Sequence, residues 1–275
     1  MQDSKYTAIS GATGGLGATV ALTLAKSGSA LLLGGRDLNK LEKLAKKIVS
    51  TYNTPVAFAY LDVTSQNSVE DFFRFHEGQL VGFVHTAAII GAKGPVAETE
   101  PAEWRETLET NLVGTYLCLR MATLSMAPFR EGSIVALSGG GASGPLKTLS
   151  AYAVSKVGVV RLVETLAEEI SGSGIRINAV APGVLPTDMN HDLLQRSKNS
   201  LVDQDYLTDL EDKLSLAGDS LQNASDLIEF LLDTEIEGLT GRLISAVWDD
   251  WRDWASRPPD LDSKDLYRIR RQIAP

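Results

Sequence analysis

The chain has 275 residues, 44% of them hydrophobic and 22% charged, with a formal net charge of −9. This suits one large globular domain with a substantial core, and the acidic balance argues against nucleic acid and anionic membranes as partners. A single cysteine, Cys118, excludes an internal disulfide, and "MQDSKYTAIS" holds no signal-peptide hydrophobic region; with no apolar run of membrane-spanning length, a reducing, cytoplasmic setting is expected.

The first β-like run is "YTAIS" (6–10), followed by others at 30–35, 56–61, 81–87, 133–138, 175–181 and 243–247. Helical patterns fall between them at 16–27, 37–51, 66–77, 101–126, 151–171 and 222–233. Strands separated by helices imply right-handed crossovers, hence a doubly wound α/β fold: a parallel sheet of about seven strands with helices on both faces. The strands are almost continuously apolar, as burial on both sides requires. No repeat or linker divides the chain. One domain is therefore expected over 1–247, with a Trp-rich extension at 248–275.

Glycines crowd the turn after the first strand. In "ISGATGGLG", Gly11, Gly15 and Gly17 give G-x-x-x-G-x-G, while Gly11, Gly14 and Gly17 give a second spacing. With Thr13 and Leu16, this turn opens a helix whose free N–H groups and positive dipole end suit a phosphate. A merely tight strand–helix turn is the plainer alternative. The second strand ends on Gly35 and Arg36. An acidic residue there would bond a ribose 2′-hydroxyl, whereas an Arg accommodates a 2′-phosphate, so NADP(H) is favoured over NAD(H). Asp37 reads as the cap of the next helix. Asp62 and Val63, after the third strand, are placed to meet an adenine amino group or to cap a helix.

His85 and Cys118 lie in apolar runs and read as packing residues. The segment 189–221 is polar and acidic and interrupts the rhythm after the sixth strand. Ligands of doubly wound folds bind outside the carboxyl ends of the strands, so it reads as a substrate lid or as a solvated helical excursion. Beyond 247, Trp248, Trp251 and Trp254 recur every third residue, which would place three indoles on one helical face, packed on the domain itself or on a sister subunit, or else lining a pocket.

Taken together, "GATGGLG", Asp62–Val63, "NLVG" (111–114), Ser138, "YAVSK" (152–156) and "PGVLPT" (182–187) resemble, in order and spacing, the single-domain form of the short-chain dehydrogenase/reductase family. The resemblance runs from Tyr6 to about Val247. It implies a Rossmann-like fold, a nicotinamide cofactor and interconversion of an alcohol and a carbonyl. By position, Asn111, Ser138, Tyr152 and Lys156 match the family's catalytic tetrad. Gly11, Gly15 and Gly17 match its phosphate turn, Ala87 the cofactor's ribose region, and Pro182, Gly183 and Thr187 the nicotinamide region. Two departures stand out. "HTAA" (85–88) replaces the family's "NNAG", and Ser138 lies one residue further from Tyr152 than usual, so that Gly139 occupies the place where the expected serine often falls.

The chemistry suits these residue types. Carbonyl reduction needs a hydride, which a nicotinamide supplies, and a proton from a positioned acid. A free Tyr, with a pKa near 10, shuttles protons poorly at neutral pH. An ammonium four residues along the same helix favours its phenolate. Ser138 is expected to polarise the substrate oxygen, and Asn111 to hold a water linking Lys156 to solvent, the role the family implies. No metal is called for. Two other functions remain open: a cofactor-binding regulator without turnover, and a nucleotide-sugar epimerase or dehydratase. The expected partners are a small carbonyl or alcohol and further copies of the chain. A homodimer or homotetramer would use the helices at 101–126 and 151–171, with the band Val157, Val160, Val163 and Leu166. Residues 91–95, 139–146 and 185–194 are expected around the substrate, with Lys93, Lys147 and His191 among or beside them.

Overall fold

A computed structural model describes residues 5–197, 201–261 and 265–270. Its sheet has the strand order β3-β2-β1-β4-β5-β6-β7, all neighbours parallel. The strands are β1 (Lys5–Ser10), β2 (Leu31–Gly35), β3 (Val56–Tyr60), β4 (Gln79–His85), β5 (Gly132–Leu137), β6 (Ile175–Ala181) and β7 (Leu243–Ser245). The chain winds outward from β1 in one direction and from β4 in the other. The crevice at the carboxyl ends therefore opens between these two strands, where Ser10 pairs with His85.

Alternate residues of each strand feed opposite layers. Ile9, Val84, Val135 and Val180 meet Val20 and Leu24 of α1 (Gly15–Lys26), and Leu227 and Leu231 of α9 (Ser220–Asp233). Ala8, Phe83, Ile134 and Ile177 meet Phe72 of α3 (Gln66–Arg74), Leu119 of α5 (Gly114–Met126), and Val159 and Val163 of α6 (Ser150–Glu169). The remaining helices are α2 (Leu38–Tyr52), α4 (Pro101–Leu108), α7 (Asp188–Ser197) and α8 (Gln204–Ser215). Asp37 caps α2, its carboxylate accepting from the Lys40 N–H at 3.0 Å.

Four expectations are corrected. The helix expected over 101–126 is broken in register by a π-turn at Glu109–Val113, where the Thr115 hydroxyl donates to the Asn111 carbonyl at 2.6 Å. Helical turns nevertheless run on from Pro101 to Phe129, a segment long and apolar enough by length and composition to cross a membrane, although Cys118, Leu119 and Met126 are buried against the sheet. Val160 and Val163 of the presumed interface band are spent on the chain's own sheet, leaving Val157 exposed. The three tryptophans do not share a helical face. A short 3₁₀ turn at Trp251–Asp253 sends Trp251 and Trp254 inward against Phe230 and Tyr267, while Trp248 is 86% exposed. The chain then returns onto α6, where the Ile269 N–H and the Arg270 guanidinium both meet the Glu164 carboxylate.

Candidate active site

The glycine turn is built for close approach. Gly11 has φ +66°, and a Cβ there would lie 2.7 Å from the Ala87 nitrogen; one at Gly17 would lie 2.3 Å from the Gly11 oxygen. The Thr86 hydroxyl stitches the turn to β4 by donating to the carbonyls of Ser10 (2.7 Å) and Gly11 (3.2 Å). Helix α1 starts on Gly14 with no side-chain cap and no acidic residue in its first turn, so its N–H groups stay available to an anion. Thr187 closes over the same turn: a Cβ on Gly15 would come within 2.9 Å of its Cγ2.

A cavity of about 530 Å³ runs along this edge. It starts at Gly11, Thr13, Gly14, Gly15, Leu16 and Gly17, and passes Arg36 after β2, Asp62 and Val63 after β3, and Ala87 after β4. It ends among Ser138, Tyr152, Lys156, Pro182, Gly183 and Thr187. Every residue expected to touch a cofactor thus lines one cavity. Asp62 Oδ1 accepts from the N–H (3.0 Å) and hydroxyl (2.8 Å) of Thr64. Beside Thr13 a shallower hollow is lined by Arg36, Asp37, Leu38, Asn39, Lys40 and Tyr60, the Asp37 carboxylate being engaged in capping α2.

At the far end, α6 brings Tyr152 and Lys156 together. The Lys156 ammonium is buried, donates to the Leu137 carbonyl at 3.1 Å and lies 5.4 Å from the Tyr152 ring centroid. Burial pushes its pKa down to about 8. Burial pushes the Tyr152 hydroxyl up, and the Tyr206 phenol of α8 adds to that.

Two of the expected catalytic residues are turned elsewhere. Ser138 lines the cavity, but its hydroxyl donates back to the Lys156 carbonyl at 3.2 Å. The position facing the Tyr152 hydroxyl belongs to Gly139, where a Cβ would sit 3.3 Å from it. Asn111 is buried outside the cavity wall. Its amide bonds the Ile89 N–H and carbonyl, each at 2.8 Å, and the Ser155 hydroxyl at 3.2 Å. It thereby fixes the exit of β4 against α6.

Of the expected substrate segments, Leu185, Thr187, Asp188, Met189 and Asn190 reach the cavity. Lys147 instead forms a surface ion pair with Asp203. Thr148 accepts from the Asp203 N–H at 2.9 Å, and its carbonyl accepts from the Gly94 N–H at 2.8 Å. Leu193 of α7 and Leu207 and Leu210 of α8 pack into a cluster with Leu149, against which Tyr152 and Tyr206 also rest. His85 holds its Nδ1 2.9 Å from the Ser10 hydroxyl, and burial pushes it down to about 3, so it stays neutral in the sheet centre.

Sequence reasoning missed Thr86, Lys40 and the cavity residues Glu106, Glu109 and Thr110. Thr86 sits in the departing "HTAA" and Lys40 one turn into α2, so both were within reach of the motifs. Glu106 sits in the last turn of α4, and Glu109 and Thr110 in the π-turn that follows it.

The reversal at β1/β4, the uncapped glycine turn and the long cavity across it define a Rossmann-like nucleotide-binding protein. The model of the short chain dehydrogenase family matches residues 5–198. The chain is 34% identical over 206 residues to "Short-chain dehydrogenase/reductase aba4" of Botryotinia fuckeliana, covering 72% of this chain and 77% of that one. It is 32% identical over 250 residues to trans-4-hydroxycyclohexanecarboxylate dehydrogenase of Sinomonas cyclohexanicum, covering 86% and 89%. Among solved structures, levodione reductase matches with a TM-score of 0.78 at 25% identity, over 89% of this chain and 96% of that one. ElxO with NADP bound matches with a TM-score of 0.74 at 25% identity, over 89% and 97%. The chain belongs to the short-chain dehydrogenase family of oxidoreductases.

Proposed function

We propose that the protein interconverts a small carbonyl compound and its alcohol with NADP(H), using Tyr152 as the general acid and base. One observation carries this reading: Tyr152 and Lys156 stand in the wall of the same cavity that begins at the uncapped N-terminus of α1. The glycine turn and α1 would hold the diphosphate, and Pro182, Gly183 and Thr187 the nicotinamide end. Bound there, the cofactor supplies or accepts the hydride. Tyr152 gives its hydroxyl proton to the carbonyl oxygen in reduction and takes it back in oxidation. The Lys156 ammonium, aimed by the Leu137 carbonyl, stabilises the phenolate left behind. Asn111 keeps α6 in place through Ser155, beneath this pair.

Arg36 and Lys40, in the hollow beside Thr13, favour a 2′-phosphate and hence NADP(H). Helices α7 and α8 cover the substrate end, held down by the Leu193–Leu207–Leu210 cluster. The exposed apolar side chains Tyr116 and Leu124 of α5, and Val154 and Val157 of α6, suit a homodimer or homotetramer built on these two helices. A panel of carbonyl compounds offered with NADPH and NADH, followed by the loss of reduced-nicotinamide absorbance, tests the reading. Turnover that prefers NADPH supports it. Cofactor binding with no turnover on any carbonyl or alcohol would contradict it.

A further inference from the structure

The backbone at Gly139 is extended, with φ 177° and ψ −179°, so no left-handed conformation demands a glycine there. Space is tight but not closed: a Cβ would fit once the nearest side chain gave by a few tenths of an ångström. The three atoms nearest to a Cβ would be the Tyr152 hydroxyl at 3.3 Å, Lys156 Cγ at 3.9 Å and Tyr152 Cε1 at 3.9 Å. These are side-chain atoms of the two residues on which the proposed chemistry rests. A side chain at 139 would thus point at the reacting oxygen, and this chain supplies only a hydrogen. The neighbouring hydroxyl does not compensate, because Ser138 donates to the Lys156 carbonyl. Ser143 is exposed and donates to the Gly140 carbonyl at 3.3 Å.

We infer that Gly139 is a specificity-determining position, which leaves the second donor site beside Tyr152 open for a hydroxyl carried by the substrate itself. The inference rests on the carbonyl chemistry proposed above and names its substrate class: α-hydroxy ketones. A carbonyl oxygen has two lone pairs. Tyr152 serves one as proton donor, and neither Ser138 nor Gly139 serves the other, which costs affinity and rate for a plain ketone. A hydroxyl on the adjacent carbon reaches that lone pair from within the substrate and occupies the volume a side chain at 139 would take. Ser138 is on this account a positioning residue, tying β5 to α6 behind Lys156.

The test compares 2-hydroxycyclohexanone with cyclohexanone in the wild type, Gly139→Ser, Gly139→Ala and Ser138→Ala, each first shown to bind NADPH. The wild type is expected to favour the hydroxy ketone by about tenfold in kcat/KM. Gly139→Ser raises the rate on cyclohexanone and closes that gap, whereas Gly139→Ala, with the Cβ but no hydroxyl, does not. Ser138→Ala changes kcat on either ketone by less than about fivefold, well short of the hundredfold that loss of an oxyanion donor causes. Dissociation constants of both ketones for NADPH-loaded Tyr152→Phe, read by nicotinamide fluorescence, show the same ranking without turnover. Equal use of the two ketones by the wild type would overturn the inference, as would a hundredfold loss in Ser138→Ala at unchanged NADPH affinity. Should Tyr152→Phe itself turn over either ketone, it is the assignment of Tyr152 that fails, not that of Gly139.

Discussion

The Lys156 ammonium, on a buried side chain, stands 3.1 Å from the Leu137 carbonyl oxygen and 5.4 Å from the centroid of the Tyr152 ring. Burial holds it at about 8, below the ordinary 10.5. The unfolded chain keeps this proton up to the ordinary value. Between those two values it binds more protons than the fold, so stability rises with pH across that window and the full penalty is felt below it. In the cofactor-free protein, Lys156→Met is therefore expected to be more stable than the wild type by about 3 kcal/mol at neutral pH, the advantage fading as pH climbs towards the ordinary lysine value. Urea melts at several pH values read this directly. A pH-independent difference would show that the ammonium is not desolvated.

Thr86 ties the glycine turn to β4 through two carbonyl acceptors. Thr86→Val keeps the shape and removes the donor. A stability loss of about 1–2 kcal/mol is expected, with weaker NADPH binding because the turn loses its anchor. Calorimetric titration and urea melts on one preparation separate the two effects.

Arg36 and Lys40 flank one hollow. Replacing both by Ala is expected to raise the NADPH dissociation constant at least about tenfold, since charge-assisted bonds to phosphate are lost. NADH binding should move little. Equal weakening of both cofactors would assign these cations to the shared part of the dinucleotide.

Trp254 packs against Phe230 and Tyr267 in the layer of α1 and α9. Trp254→Ala should cost about 3–5 kcal/mol, whereas Trp248→Ala, at the exposed position, should stay within about 0.5 kcal/mol. Denaturant melts of the two variants check whether the tail is part of the core.

Much of the frame was legible because it rests on local rules. Continuous apolar strands between amphipathic helices specify a parallel sheet, and a glycine turn leading into a helix specifies its anion end. What the sequence concealed depends on geometry between segments. The spacing in "WDDWRDW" suits a helix, yet burying Trp251 and Trp254 against Phe230 and Tyr267 outweighed that local preference. Ser138 and Gly139 are neighbours in sequence, but side chains alternate sides along extended backbone, so one residue of offset turns the hydroxyl from Tyr152 to the Lys156 carbonyl. Asn111 was expected at a water beside Lys156; it lies in the π-turn, with its amide on Ile89 and Ser155.

Tyr152 is proposed to move the proton. Single-turnover oxidation of NADPH by an accepted carbonyl substrate, in the wild type and in Tyr152→Phe with NADPH affinity confirmed equal, addresses it most directly. The rate is expected to be at least about a hundredfold lower in the variant, since a positioned general acid contributes that much or more. A Tyr152→Phe protein that binds NADPH normally and transfers hydride at the wild-type rate would contradict it.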